Sequence, residues 1–373
     1  VSDGRDDSLQ RLRLDLAEVG IEQALLSGPE SLAALVGYEH VVEDWPVSDP
    51  FTASPPLLLL GAEATRLFVP AVYAAHAEGV DCEVVVTASH ISRGAPPDAF
   101  AALEEALAGL GPRPGPIGVE RSLPYVVGQM LEDIGCESCR VDAEILGSHR
   151  VKLPGEVAAL RRAAALADLM QATIKAEARP GISEVALAEA AHAAVCEEVG
   201  HRIPCLVTVQ AGAASAEGFY LPGERLVEEG DLVLVDAGPW VGGAWGDSAN
   251  AVVVGTPTKE HRRMFEAVRG ALEVGIAACR PGAVAGDVDR VVREALADWG
   301  DCVHAHHTGH GLGWAWSEPP LIIAGSEEPI EEGMVLAVEP ALYVPGVGGI
   351  RLEHTFLVGA DGNEILTRFE HTL

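Results

Sequence analysis

Asp231-Leu-Val-Leu-Val-Asp236-Ala-Gly238, then Pro-Trp-Val-Gly-Gly-Ala-Trp-Gly246, then Asp247-Ser-Ala-Asn-Ala-Val-Val-Val-Gly255, is the stretch that decides how this chain folds. An unbroken apolar run closed by an acid reads as a fully buried strand. The Gly-rich segment 238–246 reads as a turn, and Ala249 to Val254 as the returning strand. Such a hairpin brings Asp236 and Asp247 together. A buried carboxylate is costly unless it is paired or holds a cation, and two neighbouring carboxylates repel. A metal ion removes that conflict.

Working outward, the same pattern recurs. Met334-Val-Leu-Ala-Val-Glu339-Pro closes another apolar run on an acid, and Gly349-Ile-Arg351-Leu-Glu353-His supplies one more. In His304-Ala-His306-His-Thr-Gly-His310-Gly-Leu-Gly the glycines let backbone crowd a site around an imidazole. Each residue alone has an ordinary reading: Asp236 a strand-end cap, His310 a satisfied loop histidine, Glu353 a partner for Arg351. Taken together, Asp236, Asp247, His310, Glu339 and Glu353 read as a metal-ligating set. Four carboxylates and one imidazole suit Mn, Co, Fe or Zn better than a thiolate-seeking ion, with manganese the first expectation. Bridging carboxylates can hold two divalent ions about 3.5 Å apart with activated water between them.

The rest of the chain frames this centre. At 373 residues, two domains are expected. Residues 1–148 read as an α/β domain. Helices are expected at Ser8 to Val19 and Ala99 to Leu110, and strands at 24–27, 57–61, 66–70, 82–87 and 117–120. A long helix is expected from Arg150 to about Ala178, with Pro154 in its first turn. Ser183 is placed to cap the next, Val185 to Val199. Helices follow at 258–279 and 285–299, and β-rich segments at 335–343 and 351–358.

Composition excludes some functions. The formal charge of −31, with only three lysines (Lys152, Lys175 and Lys259), repels phosphate backbones and argues against nucleic-acid binding. No apolar run reaches the roughly 18–20 residues of a membrane span. The polar, acidic start does not read as a secretory signal. Seven scattered cysteines fit a reducing cytoplasm better than a disulfide framework, and the lone Cys136-Glu-Ser-Cys139 cannot complete a tetrahedral zinc site by itself.

Across nearly its whole length the chain resembles the creatinase, prolidase and methionine aminopeptidase family. Arg150-Val-Lys-Leu-Pro-Gly-Glu, Arg179-Pro-Gly-Ile-Ser-Glu and Leu35-Val-Gly-Tyr are similar to its signatures, and its five metal ligands fall on Asp236, Asp247, His310, Glu339 and Glu353. The resemblance implies an α/β (α+β) chain: a creatinase-like domain over 1–148 and a pita-bread catalytic domain over 149–373. It implies attack of a metal-activated hydroxide on an amide carbonyl, with Glu339 as proton acceptor and His306 as a pocket histidine. It also implies two divalent ions, a short-peptide or small-molecule substrate and a homodimer. Arg351 matches the family's arginine. Three places depart from the pattern. The Thr and Arg that usually follow the second Asp are Ala249 and Asn250. A His-Tyr pair is replaced by Phe219-Tyr220, and a His-Glu pair by Ser317-Glu318. General acid–base help of the kind those histidines give is worth roughly 10²–10⁴-fold. Trp240, Trp245, Trp314 and Trp316 gather near the ligands, as core packing or as a reshaped pocket. The substrate-binding set expected is therefore Phe219, Tyr220, Trp245, Trp314, Ser317 and Arg351. An Xaa-Pro aminopeptidase or prolidase is the leading expectation. A hydrolase or lyase of a small amidino, ectoine-type or sulfonium molecule is the alternative, and a non-catalytic member the third reading.

Overall fold

The computed structural model describes residues 4–39, 54–89, 93–94, 100–108, 115–217 and 221–373. It divides into two compact units, Val1–His149 and Arg150–Leu373.

In the first unit the elements run α1 (Arg5–Glu18), β1 (Gln23–Leu26), α2 (Pro29–Val36), β2 (Leu57–Gly61), β3 (Thr65–Pro70), β4 (Glu83–Thr87), α3 (Ala101–Ala108), β5 (Ile117–Val119), α4 (Tyr125–Asp133), β6 (Ser138–Arg140) and α5 (Asp142–Arg150). The strands form one mixed sheet in the order β4-β3-β2-β1-β5-β6. Leu57 to Leu60 are all buried, as a continuous apolar run demands when both faces of a strand are covered. Glu120, expected to end a strand, turns away from β5. Its carboxylate accepts the backbone N–H of Ser27 and of Gly28, each at 2.6 Å, and so ties the chain entering α2 to the end of β5. The limits of the helix expected at 99–110 fall on residues outside those described.

The second unit opens with α6 (Pro154–Glu177) and α7 (Glu184–Val199). The helix expected from Arg150 is in fact broken. Arg150 closes α5, and Leu153 is extended at ψ 157° because the residue before a proline is driven out of the helical region. Ser183 caps α7 as expected, its hydroxyl accepting the Ala186 N–H at 3.2 Å.

Next come β7 (Cys205–Ala211), β8 (Leu232–Val241), β9 (Ala244–Trp245) and β10 (Ser248–Val253). β8 lies between β10 and β7, antiparallel to both. It runs beyond Gly238, and the turn narrows to Gly242-Gly243, with φ of 61° and 73°. A tight two-residue hairpin needs positive φ at both positions, which glycine supplies without strain. Period-two alternation explains the burial of β8. Val233, Val235 and Ala237 pack with α6 and α7, whereas Leu232 and Leu234 join the opposite core. Asp236 follows the parity of Leu234.

That opposite core is built on α8 (Lys259–Ala278) and α9 (Ala285–Ala295), which stops earlier than the expected 299. The remaining strands are β11 (Gly309–Gly311), β12 (Glu318–Ile322), β13 (Val335–Val338), β14 (Ala341–Val344), β15 (Gly348–Arg351), β16 (His354–Leu357) and β17 (Glu364–Ile365). They make a sheet β12-β11-β13-β16-β17 and a separate β14–β15 hairpin. The segments 335–343 and 351–358 are therefore each two strands in different sheets. Glu339-Pro340 sits at one break and Leu352-Glu353 at the other. Among the described residues no helix is long and apolar enough to cross a membrane.

Candidate metal centre

The breaks between sheets are what gather the acids. Glu339 donates its N–H to Thr308 O at 2.9 Å as the chain leaves β13, and Glu353 donates its own to Ala249 O at 3.0 Å as the chain leaves β15. Thr355 Oγ1 donates to Asp247 O at 2.8 Å, fixing the start of β10 against β16. In β11, His310 stands opposite Ala337 of β13. A Cβ on Gly309 would collide with Ala337 O, and one on Gly311 with Pro319 O. The Gly-His-Gly triplet thus exists because backbone closes on both sides of the imidazole.

All five residues are buried, none more than 7% exposed. His310 Nδ1 donates to Gly311 O at 2.9 Å, which leaves the Nε2 lone pair facing inward. Nε2 lies 3.5 Å from Asp247 Oδ2 and 3.7 Å from Glu339 Oε1. Asp247, His310 and Glu353 offer ligand atoms within 4.8 Å of one another, and so do His307, His310 and Glu339.

Arg351 is the fixed cation of the site. Its Nη2 donates to Asp236 Oδ2 at 2.5 Å, and its Nη1 to Tyr343 Oη at 3.0 Å. Its Nε lies 3.7 Å from Glu339 Oε2. One guanidinium cannot compensate four carboxylates. Burial, then repulsion from Asp236 and Glu339, pushes Asp247 well above the usual carboxylate range. Burial and the same kind of repulsion, led by Asp247, do likewise to Glu353. Asp236 is raised by burial even against Arg351. For Glu339, burial is outweighed by the His307 hydrogen bond and by Arg351, which hold it down to about 2.

The donor set fits divalent ions. Both Asp247 carboxylate oxygens, Asp236 Oδ1 and Glu353 Oε1 are buried without a hydrogen-bond partner. Buried oxygens of that kind cost free energy unless something positive meets them. They border a cavity of about 430 Å³ lined by His306, His307, Trp316, Tyr343, Arg351 and Glu217 as well as the acids.

The structure brings some expected substrate residues here and leaves others out. Arg351 and His306 line the cavity. His306 does not touch the acids. Burial lowers its pKa, its Nδ1 pairs with His307 O at 2.6 Å, and its Nε2 lies 3.0 Å from Tyr343 Oη. Ser317 is exposed and is not among the lining residues, because the chain turns outward just before β12. Trp314 is 5% exposed and Trp245 half-buried, its ring 6.3 Å from that of Trp240; neither lines the cavity. Trp316 does, edge-on to His310 at 6.1 Å. Phe219 and Tyr220 lie outside the described residues.

Two residues escaped the sequence reading. His307 Nε2 lies 2.7 Å from Glu339 Oε1, closer to an acid of the centre than His310 is. The signal was the tandem His306-His307, which sequence alone could not split into two roles. Tyr343 joins Arg351 to His306. On the β14–β15 hairpin, Ala341 pairs with Arg351 and Tyr343 with Gly349, so Tyr343 and Arg351 are diagonal neighbours on one face. Beneath the histidine loop, Arg293 donates to the carbonyls of His304 and His306 at 2.7 and 2.8 Å, and Thr308 Oγ1 donates to Asp289 at 2.6 Å.

Comparison with known proteins agrees with this architecture. The Peptidase_M24 profile, metallopeptidase family M24, matches residues 158–360. The chain is similar to the uncharacterized peptidase YqhT of Bacillus subtilis, 32% identical over 219 residues, which are 58% of this chain and 62% of that protein. It is similar to the Xaa-Pro dipeptidase of Pyrococcus horikoshii, 29% identical over 261 residues, 69% of this chain and 74% of that one. The match to YqhT thus spans less than two thirds of that relative. The crystal structure of the prolidase from Pyrococcus horikoshii OT3 superposes with a TM-score of 0.82 at 23% identity, over 98% of this chain and 99% of that one, and so shares the fold.

Proposed function

Because the chain belongs to metallopeptidase family M24, we propose that it is a metal-dependent hydrolase that cleaves a C–N amide bond, with Xaa-Pro dipeptides as the first substrates to test. The observation that carries this reading is the set of partnerless, buried carboxylate oxygens on Asp236, Asp247 and Glu353 beside the inward Nε2 of His310. The Pyrococcus relative named an Xaa-Pro dipeptidase points to the substrate class.

Asp236, Asp247, His310, Glu339 and Glu353 would hold two divalent ions, which supply an activated water and a Lewis-acid contact to a carbonyl oxygen. Manganese is our first choice, since oxygen donors dominate the set. Around that pair the chain's own groups are fixed in direction. Arg351 Nη1 donates to Tyr343 Oη, whose proton is then free to go to His306 Nε2, and His306 Nδ1 donates to His307 O. This one-way chain holds His306 neutral in a single tautomer, with its ring bordering the cavity where substrate would lie. Glu339, held ionised, is the acceptor for the proton of the attacking water. Trp316 supplies an apolar wall.

The absence of Ser317 from the cavity lining supports a second reading. The position where relatives of this type carry a histidine makes no contact with the cavity, and a small cationic or apolar non-peptide could sit against Trp316 instead. We also read the unit Val1–His149 as a creatinase/prolidase-like domain, the chain as a homodimer and the seven free cysteines as fitting a cytoplasmic setting.

Purified protein loaded with Mn or Co and offered Xaa-Pro dipeptides and tripeptides decides the matter. Turnover that stops on chelation supports the first reading. Inertness toward every such peptide, with two bound ions present, sinks it and leaves the small-molecule reading.

A further inference from the structure

The two overlapping groups of ligand atoms are not alike. One is Asp247, His310 and Glu353; the other is His307, His310 and Glu339. The second contains an imidazole outside the set of five. His307 Nε2 lies 2.7 Å from Glu339 Oε1, and Glu339 Oε1 lies 3.7 Å from His310 Nε2. Two donors on one ion, each about 2.1 Å from it, are at most about 4.2 Å apart. Both separations fall inside that limit, and all three ligand atoms lie within 4.8 Å of one another, so a small shift of one imidazole lets the three groups meet one ion. The His307 ring also stands edge-on to His310, centroids 5.2 Å apart, and so approaches the ion's position from a different side.

Packing favours this use of the side chain. Glu339 Oε2 already faces Arg351, so Oε1 is the oxygen left for a cation. His307 is the group that now meets Oε1, as an N–H donor or a protonated imidazole would in place of a metal. His307 is 39% exposed in its side chain, borders the cavity and has its backbone pinned. Its carbonyl accepts from His306, and the preceding carbonyl, that of His306, accepts from Arg293.

We propose that His307 is a sixth protein ligand, making one of the two ions a two-histidine site while the other is held by oxygen alone. This rests on the metal-centre reading above and deepens it. Its consequence is asymmetry. The ion at His307, His310 and Glu339 sits among nitrogen donors that favour Co, Zn or Fe, whereas Asp236, Asp247 and Glu353 offer the oxygen-only surroundings that suit Mn or Mg. The two positions would fill in order with a borderline metal, the His307 side first.

The test uses the full chain, stripped of metal and titrated with cobalt(II). Calorimetry and visible absorption follow wild type, His307→Gln and His307→Ala, with circular dichroism confirming that each is folded. Glutamine keeps a hydrogen-bond donor for Glu339 and removes the imidazole. The expected result is two unequal cobalt sites in wild type, with the tighter one weakened at least about tenfold in both variants and its d–d bands altered. If His307→Gln matches wild type while His307→Ala does not, His307 only orients Glu339 and the proposal is overturned. Unchanged affinity and bands in both variants also overturn it, leaving the five-residue centre intact. Wild type that binds no cobalt overturns the centre itself. Hyperfine-shifted imidazole proton resonances give a check on wild type alone: two ligating rings support the proposal, and one refutes it.

Discussion

Asp247 shows how a single residue carries opposite demands. It is 1% exposed, neither carboxylate oxygen has a hydrogen-bond partner, and burial with two acidic neighbours drives its pKa well up. Such a group weakens the metal-free chain and becomes useful only when a cation arrives. Asp247→Asn keeps the shape and drops the charge. It should lower bound metal below two ions per chain and cut turnover by at least about 10²-fold, a loss larger than that seen for groups one shell out. The same change should raise the melting temperature of the metal-free protein, by about 2–4 °C for each kcal/mol of repulsion removed. Metal analysis and paired thermal scans check both. A variant with unchanged metal content would remove Asp247 from the centre. At this scale the sequence was most legible for the acids, because a carboxylate that ends a buried apolar run must be capped, paired or bound to a cation. It was least legible for Tyr343 and His307. A tyrosine in a short strand and one histidine of a tandem pair give no signal until the β14–β15 register and the loop's hydrogen bonds are known.

Among the elements, β11 is the most constrained. Alanine at position 309 would put its Cβ against Ala337 O, which is backbone of the neighbouring strand and cannot swing aside. Gly309→Ala should cost about 1–3 kcal/mol, or more if the strands must part. Denaturant melts measure it, and a loss below that range would show the β11–β13 spacing to be soft. A second constraint ties the start of the unit to β12. Lys152 Nζ contacts Glu318 Oε1, and both side chains are 2% exposed. Lys152→Met should cost about 3–5 kcal/mol, because it removes the cation paired with a buried carboxylate. Replacing both partners with apolar residues should recover much of that loss; failure to recover would mean the pair does more than neutralise itself. Periodicity revealed that strands and helices alternate here, but not where they change partners. The segment 335–343 looks like one strand by composition. Pro340, which cannot donate to a ladder, splits it and throws Glu339 into the site. Likewise the helix read from Arg150 stops and restarts at Pro154, since local propensity could not register the extended Leu153.

For the molecule as a whole, charge links stability to metal. The chain carries a formal −31, and part of that negative charge is concentrated around one buried cavity. Asp247 and Glu353 have folded-state pKa values raised well above their ordinary ones. A raised pKa means the folded, metal-free chain holds protons that the unfolded chain releases. That contribution is complete below the ordinary carboxylate pKa and is lost as pH rises through the raised values. The metal-free protein should therefore lose stability on going from mildly acidic to neutral and alkaline pH. Metal binding needs the same groups ionised, so its stabilisation grows over the same interval. The gap in melting temperature between manganese-loaded and chelated protein should accordingly widen from pH 5 to pH 8, from two directions at once. In Asp247→Asn both directions weaken, and the gap should flatten. Scanning calorimetry of the four samples across that range reads all of this. A gap that narrows with rising pH would mean that the buried carboxylates are already ionised without metal, and that Arg351 and the histidines, rather than divalent ions, balance the charge at this centre.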